Sequence, residues 1–185
     1  MITVTEARKG ITVEIDDQLY EVLEFEHIKM GRGSAQVRLK LRDVRGGHTF
    51  DKTFQAAAKL SRARVEKQSV QFLYKDGDLF VFMNNETFDQ TLLNPNQVGD
   101  AAHYLAENQT ADLLTYGDEP IGIELPAAVV LTVAQTEPGI KGDTASGTTK
   151  PATMETGHIV QVPLFINPGD KLKIDTRSGA YLERA

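Results

Sequence analysis

Between Gln36 and Arg42 apolar and basic residues alternate strictly: Val37, Leu39 and Leu41 interleave with Arg38, Lys40 and Arg42. A period of two puts the aliphatic side chains on one face of an extended strand and the cations on the other. The pattern predicts a half-buried antiparallel strand with a basic outer face. Similar runs recur along the chain. Gly10 to Ile15 alternates, Asp16-Asp17 offers a turn, and Leu19 to Leu23 follows. Gln71–Tyr74 and Leu79–Met83 flank a hairpin signal centred on Asp76-Gly77. Ala127–Thr136 and His158–Ile166 are β-branched runs, and Leu172–Thr176 and Tyr181–Arg184 flank a turn at Arg177–Ala180. The aromatics Phe72, Tyr74, Phe80, Phe82 and Phe88 could serve as stacking platforms, but their place in such strands assigns most of them to the core.

Helical signals are few. Gln55–Leu60 could form a turn or two, and Asp100 could cap Ala101–Glu107 with Ala101, Ala102 and Leu105 inward. Short strands with Gly, Pro and Asp turns predict an all-β protein of barrels or sandwiches. Seams near Ser61–Arg64 and Glu124–Ala127 divide it into units 1–63, 64–126 and 127–185. Units this small bury only about 60% of their unfolded surface, so each is marginal alone. The second and third could share a fold without sharing sequence. Asp143–Thr153 reads as a long exposed loop inside the third unit.

Charge is distributed unevenly. The chain carries a net −6, yet residues 1–63 hold 11 Lys and Arg against 9 Asp and Glu, and residues 64–185 hold 9 against 17. From Lys29 to Arg45 there are six basic residues and one acid, Asp43. A local basic stripe can meet phosphate while the acidic remainder opposes indiscriminate binding to nucleic acid. The chain has no Cys, which removes disulfides and thiolate chemistry. Neither a secretory signal nor a run long enough for a membrane helix is visible, so a cytoplasmic protein without membrane contact is expected.

Two loops could carry function. Lys29-Met30-Gly31-Arg32-Gly33 lies between two strands, and its glycines permit a tight tip with the Arg32 guanidinium projecting forward. An ordinary hairpin with a solvated arginine fits the same residues. The stripe of Arg38, Lys40, Arg42 and Arg45 behind it favours an RNA-facing reading. In the second loop, Pro138 to Pro151, Gly142, Asp143 and Thr144 with Lys141 and Lys150 could approach RNA edges and phosphates. A polar hairpin fits equally well, and the ending of a Walker loop is missing. Tyr181, after Ser178-Gly179, is the aromatic with the best claim to a surface role. The four histidines His27, His48, His103 and His158 lack metal-ligand spacing, and no nucleophile–base arrangement stands out, so neither a metal nor an enzymatic activity is expected.

Taken in order, five segments resemble the bacterial elongation factor P family over essentially the whole chain. They are Lys29–Gly33 with Ala35–Arg38, then Phe82–Phe88, then Pro138–Thr144, then Lys150–Gly157 leading into Val160–Ile166 and Gly169, and finally Asp175–Gly179 with Tyr181. The resemblance implies a KOW/SH3-like barrel followed by two OB-fold barrels, arranged as an L that mimics tRNA. It implies a monomeric, non-enzymatic factor without cofactor. Such a factor binds the ribosome, its rRNA and proteins, between the P and E sites and relieves stalling at consecutive prolines. Arg32 would occupy the tip facing the P-site peptidyl-tRNA near the peptidyl-transferase centre. In many relatives that position is a Lys with an amine-rich extension, and in others an Arg that is a site for rhamnose, so an Arg-modifying enzyme is a further implied partner. Gly142, Asp143 and Thr144 match the loop placed near the E-site mRNA codon. Family tips often carry Pro where this chain has Met30, which removes one source of rigidity. Two rivals remain: a paralogue with a distinct ribosomal role, and a general OB-fold single-strand RNA-binding protein. The second needs broad positive charge, which residues 64–185 lack.

Overall fold

The structure is a computed structural model and describes residues 1–28, 31, 33–139 and 148–185. The chain forms β1 (Ile2–Thr3), β2 (Thr12–Ile15), β3 (Gln18–Ile28), β4 (Gln36–Asp43), β5 (Thr49–Gln55), β6 (Lys59–Arg62), β7 (Val65–Asp76) and β8 (Leu79–Asn84). It continues with β9 (Gln90–Leu93), β10 (Thr110–Tyr116), β11 (Glu119–Glu124), β12 (Ala128–Thr136), β13 (Thr149–Met154), β14 (Ile159–Pro163), β15 (Lys171–Asp175) and β16 (Tyr181–Arg184). These strands make three sheets, ordered β1-β6-β2-β3-β4-β5, β11-β10-β7-β8-β9 and β14-β13-β12-β15-β16. By contact density the chain divides into two compact units, residues 1–68 with 113–122 and residues 69–112 with 123–185. No helix among the described residues is long and apolar enough to cross a membrane.

In the first unit the alternation of β4 is realised. Val37, Leu39 and Leu41 are fully buried with Val13, Val22 and Val4, while Arg38, Lys40 and Arg42 face outward. Each such aliphatic side chain contributes about 1.5–3 kcal/mol on burial, so a one-residue slip of β4 would exchange three of them for cations. The β2–β3 hairpin turns on Asp16 and Asp17, with φ of +53° and +61°. Two left-handed residues in a two-residue loop are what the right-handed twist of the strands requires, and Asp tolerates that region.

The second and third sheets share one strand order. Counting strands within each, both read 5-4-1-2-3, with the first strand in the middle. In the third sheet this strand is split between partners: Ala128–Thr132 pairs with β15, and Val133–Thr136 pairs with β13, with a register shift between Val133 and Gln135. The two sheets therefore share one topology without sharing sequence. Phe72, Phe80 and Phe82 fill the interior of the second sheet, with ring centroids 5.4–6.0 Å apart. Leu131, Met154, Val162, Ile166, Leu172 and Ile174 fill that of the third.

Several local expectations change. Gln55–Leu60 forms no helix: β5 ends at Gln55, a turn closes through Ala58 N–H to the Gln55 carbonyl, and Leu60 pairs with Ile2. Burying Leu60 outweighs the helix propensity of three alanines. The helical segment near Asp100 starts earlier. Asn94 caps a single α-turn, Pro95–Val98, by accepting from Gln97 N–H at 3.0 Å, and a 3-10 stretch, Gly99–Tyr104, follows. Its inward residues are Tyr104 and Leu105, with Ala101 and Ala102 half-buried. The β7–β8 turn centres on Gly77-Asp78, because Asp76 pairs with Leu79. Tyr74 and Phe88 are exposed, unlike the other aromatics of their group. Finally, Thr149–Thr153 belongs to β13, so the exposed loop expected over Asp143–Thr153 stops short of it.

Candidate nucleic-acid interface

The long hairpin β3–β4 carries the expected tip. Pairing runs to Ile28 and Gln36, which leaves residues 29–35 as the connection. Its base is fastened to β5, where Ser34 Oγ donates to Gln55 Oε1 at 2.9 Å and Ala56 N–H donates to the Ala35 carbonyl. Gly31, Gly33, Ser34 and Ala35 are exposed, and a Cβ added at Gly31 would meet nothing within 4 Å. Lys29, Met30 and Arg32, the other predicted tip residues, lie outside the described residues.

The basic stripe behind the tip is paired with acids. The β3–β4 register sets Glu26 opposite Arg38, Glu24 opposite Lys40 and Glu21 opposite Arg42. The three pairs close at 3.3, 3.2 and 2.6 Å. Arg45 makes a two-pronged bond to Glu119, from Nε and Nη2, both at 2.8 Å. Bonding to Arg45 lowers the Glu119 pKa, and the same bond raises that of Arg45. The stripe is thus a ladder of ion pairs rather than a bare cationic surface. The count from Lys29 to Arg45 missed the acids because they sit on the preceding strand. Glu24 and Glu26, two residues apart, were a legible signal, since hairpin partners share a face, whereas Glu21 reaches that face only through the register shift between Val22 and Glu24. Exposed pairs of this kind stabilise by about 0.2–1 kcal/mol each.

In the third sheet, Gly142, Asp143 and Thr144 lie outside the described residues, but the neck of their loop is defined. Thr136 Oγ1 donates to the Pro151 carbonyl at 2.9 Å. A Cβ on Gly139 would fall 2.4 Å from the Leu164 carbonyl oxygen, so only glycine fits there. Lys150 was expected to reach RNA. It is instead 6% exposed, and its Nζ donates to the Glu137 carbonyl at 2.6 Å, tying the two legs of the neck together. Tyr181 is half-buried against the core around Leu131 and Ile174. Alternation alone cannot reveal either, because both depend on which strand lies alongside.

One cluster was not foreseen. His103 and His158 stack at 4.8 Å, Tyr104 meets His158 edge-on at 5.2 Å, and Thr156 Oγ1 donates to the His103 carbonyl. Burial, then the charge of His103, pushes the His158 pKa down, and burial pushes the Tyr104 hydroxyl up. The two histidines are far apart in sequence, and nothing in either's spacing signals their meeting. No group of three or more metal-ligating side chains occurs among the described residues.

A first sheet with a long hairpin, followed by two five-stranded sheets of one strand order, fits a β protein of KOW-like and OB modules. Family models agree: residues 3–60 match the elongation factor P KOW-like domain, 65–123 its OB domain, and 129–184 its C-terminal domain. The chain is 52% identical to the elongation factor P of Moorella thermoacetica, 51% to that of Symbiobacterium thermophilum and 50% to that of Desulfitobacterium hafniense DCB-2. In each case the match covers 100% of both chains. Among solved structures it is similar to a translation initiation factor 5A from Methanococcus jannaschii, 17% identical, over 68% of this chain and 92% of that one, with a TM-score of 0.45. The chain belongs to the elongation factor P family. It is a translation elongation factor that works with the ribosome and is not an enzyme in its own right.

Proposed function

We propose that the protein binds between the ribosomal P and E sites and speeds peptide-bond formation at consecutive prolines, in the cytoplasm. It would act through three domains, 1–63, 64–126 and 127–185. The observation that carries this reading is the β3–β4 stem: anchored to β5, laced by three ion pairs, and ending in exposed Gly31 and Gly33. An anchored arm with an open end suits contact with the acceptor end of a P-site tRNA through Arg32, with Lys29 and Met30 beside it. The clamped neck at Gly139 and Lys150 suits presentation of Gly142, Asp143 and Thr144 to an E-site codon.

The mechanism is positional. Proline is a poor nucleophile in peptide transfer, and holding the tRNA end in a reactive geometry lowers the barrier without an acid or base from the factor. The chemistry belongs to the ribosome. Arg32 is also the position at which an Arg-modifying enzyme would act.

The test is synthesis of a peptide with three consecutive prolines in a reconstituted translation system, with the unmodified protein, with Arg32→Ala, and with neither. Relief by the wild type alone supports the reading and shows that bare Arg32 suffices. Should neither relieve the stall, protein from its native host is assayed and weighed. Relief accompanied by added mass on Arg32 supports the reading in its modified form, and ribosome binding without relief in either form points to a distinct ribosomal role.

A further inference from the structure

Phe88 combines two properties that a folded chain normally avoids together. Its side chain belongs to a residue 68% exposed, and its backbone is left-handed, with φ +63°. For a bulky residue that region costs about 1–2 kcal/mol relative to its ordinary conformations. So exposed a ring returns little of that cost through packing.

The loop between β8 and β9 nevertheless holds Phe88 firmly. Asn84 Oδ1 accepts from Glu86 N–H at 2.8 Å and from Thr87 N–H at 3.1 Å. Asn84 N–H donates to the Asp89 carbonyl, and Phe88 N–H to the Asn84 carbonyl. Asn85 ties the loop to β7 through the Ser69 carbonyl and hydroxyl. Strain persists only where surrounding structure over-determines it, and it concentrates where a partner is met. A rigid aromatic held in place before contact loses little entropy on binding.

Charge selects the partner. From Asp76 to Gly139 there is no Lys or Arg, while 11 acids occur: Asp76, Asp78, Glu86, Asp89, Asp100, Glu107, Asp112, Asp118, Glu119, Glu124 and Glu137. Glu86 and Asp89 flank Phe88 and are exposed. An aromatic that stacks on nucleic-acid bases needs cations for the phosphates, whereas the charges beside Phe88 in its loop are the acids Glu86 and Asp89, and the lysines of the neighbouring strand, Lys67 and Lys75, lie on β7 outside it. A cationic protein surface would be attracted. We infer that Phe88 is a preorganised anchor that seats in an apolar pocket on a cationic protein of the ribosome. This rests on the ribosome being the partner.

The test measures affinity for purified 70S ribosomes, together with thermal stability, for the wild type and Phe88→Gly. Glycine removes the ring and accepts the left-handed backbone. The expected result is an unchanged or higher melting temperature with at least tenfold weaker binding. A photo-crosslinker at the neighbouring exposed position, Thr87→p-benzoylphenylalanine, should label a basic ribosomal protein. Wild-type binding with unaltered Phe88→Gly affinity overturns the inference and spares the ribosomal reading. So does a fall in stability, which makes the ring structural, or crosslinking to rRNA alone. Wild-type protein that does not bind 70S ribosomes sinks both.

Discussion

Replacing Lys150 by Met separates a structural lysine from an RNA-binding one. Methionine keeps a long unbranched stem where Lys150 is buried between the legs of the neck, and deletes only the ammonium. The lost bond runs from a charged donor to the Glu137 carbonyl at 2.6 Å, a type of contact that stabilises by about 1.5–3 kcal/mol. Two effects reduce that figure. Glu137 is exposed, so its carbonyl can turn to water, and a buried ammonium no longer has to be desolvated. The net expectation is about 1–2 kcal/mol of lost stability, or roughly 2–8 °C in melting temperature for a chain of this length. Circular dichroism during thermal and urea unfolding reads the change. Ribosome affinity measured across salt concentrations reads the alternative, since loss of a phosphate contact lowers the salt slope by roughly 0.7–0.9. Here the slope should not move. Unchanged stability together with a shallower slope would refute the assignment and return Lys150 to the RNA surface.

The ion-pair ladder makes a graded prediction. A double-mutant cycle on Glu21→Gln and Arg42→Gln, the shortest and least exposed pair, should give a coupling of about 0.5–1 kcal/mol in urea unfolding, and one on Glu26 and Arg38 about half that. Equal couplings, or none, would show that burial does not set their strength. His158 predicts a pH dependence. Its folded pKa lies below the ordinary 6.5 because of burial and then His103, so near that pH the unfolded chain binds more protons. The stability it contributes is complete above about pH 6.5 and is lost as pH falls through the lowered folded pKa. The stability difference between wild type and His158→Gln should shrink or reverse from pH 7.5 to 5.5, and a constant difference would contradict the burial argument.

Much of the candidate interface is legible in the sequence, but only at the level of the single strand. Val37, Leu39 and Leu41 were legible as core because burial in a strand follows a period of two whatever lies next to it. Gly31 and Gly33 were legible as a tip because a hairpin connection must lie between two strands. That Arg38, Lys40 and Arg42 are paired with Glu26, Glu24 and Glu21 was not legible in the same way, since the partners come from another strand.

The amino-acid sequence by itself determined the all-β character, the inner and outer face of β4, the Asp16-Asp17 turn and the family resemblance. Each of these is written in near neighbours, where backbone geometry acts over a few residues. Tertiary structure alone decided that Lys150 is buried, that His103 meets His158, that Glu119 takes Arg45, and that Phe88 stands exposed in a strained turn. Pairings like Arg45 with Glu119 join residues 74 apart, and local pattern holds no information about which distant strand will supply the partner. Only the closed sheets, which balance chain entropy against burial over a whole unit, set those contacts.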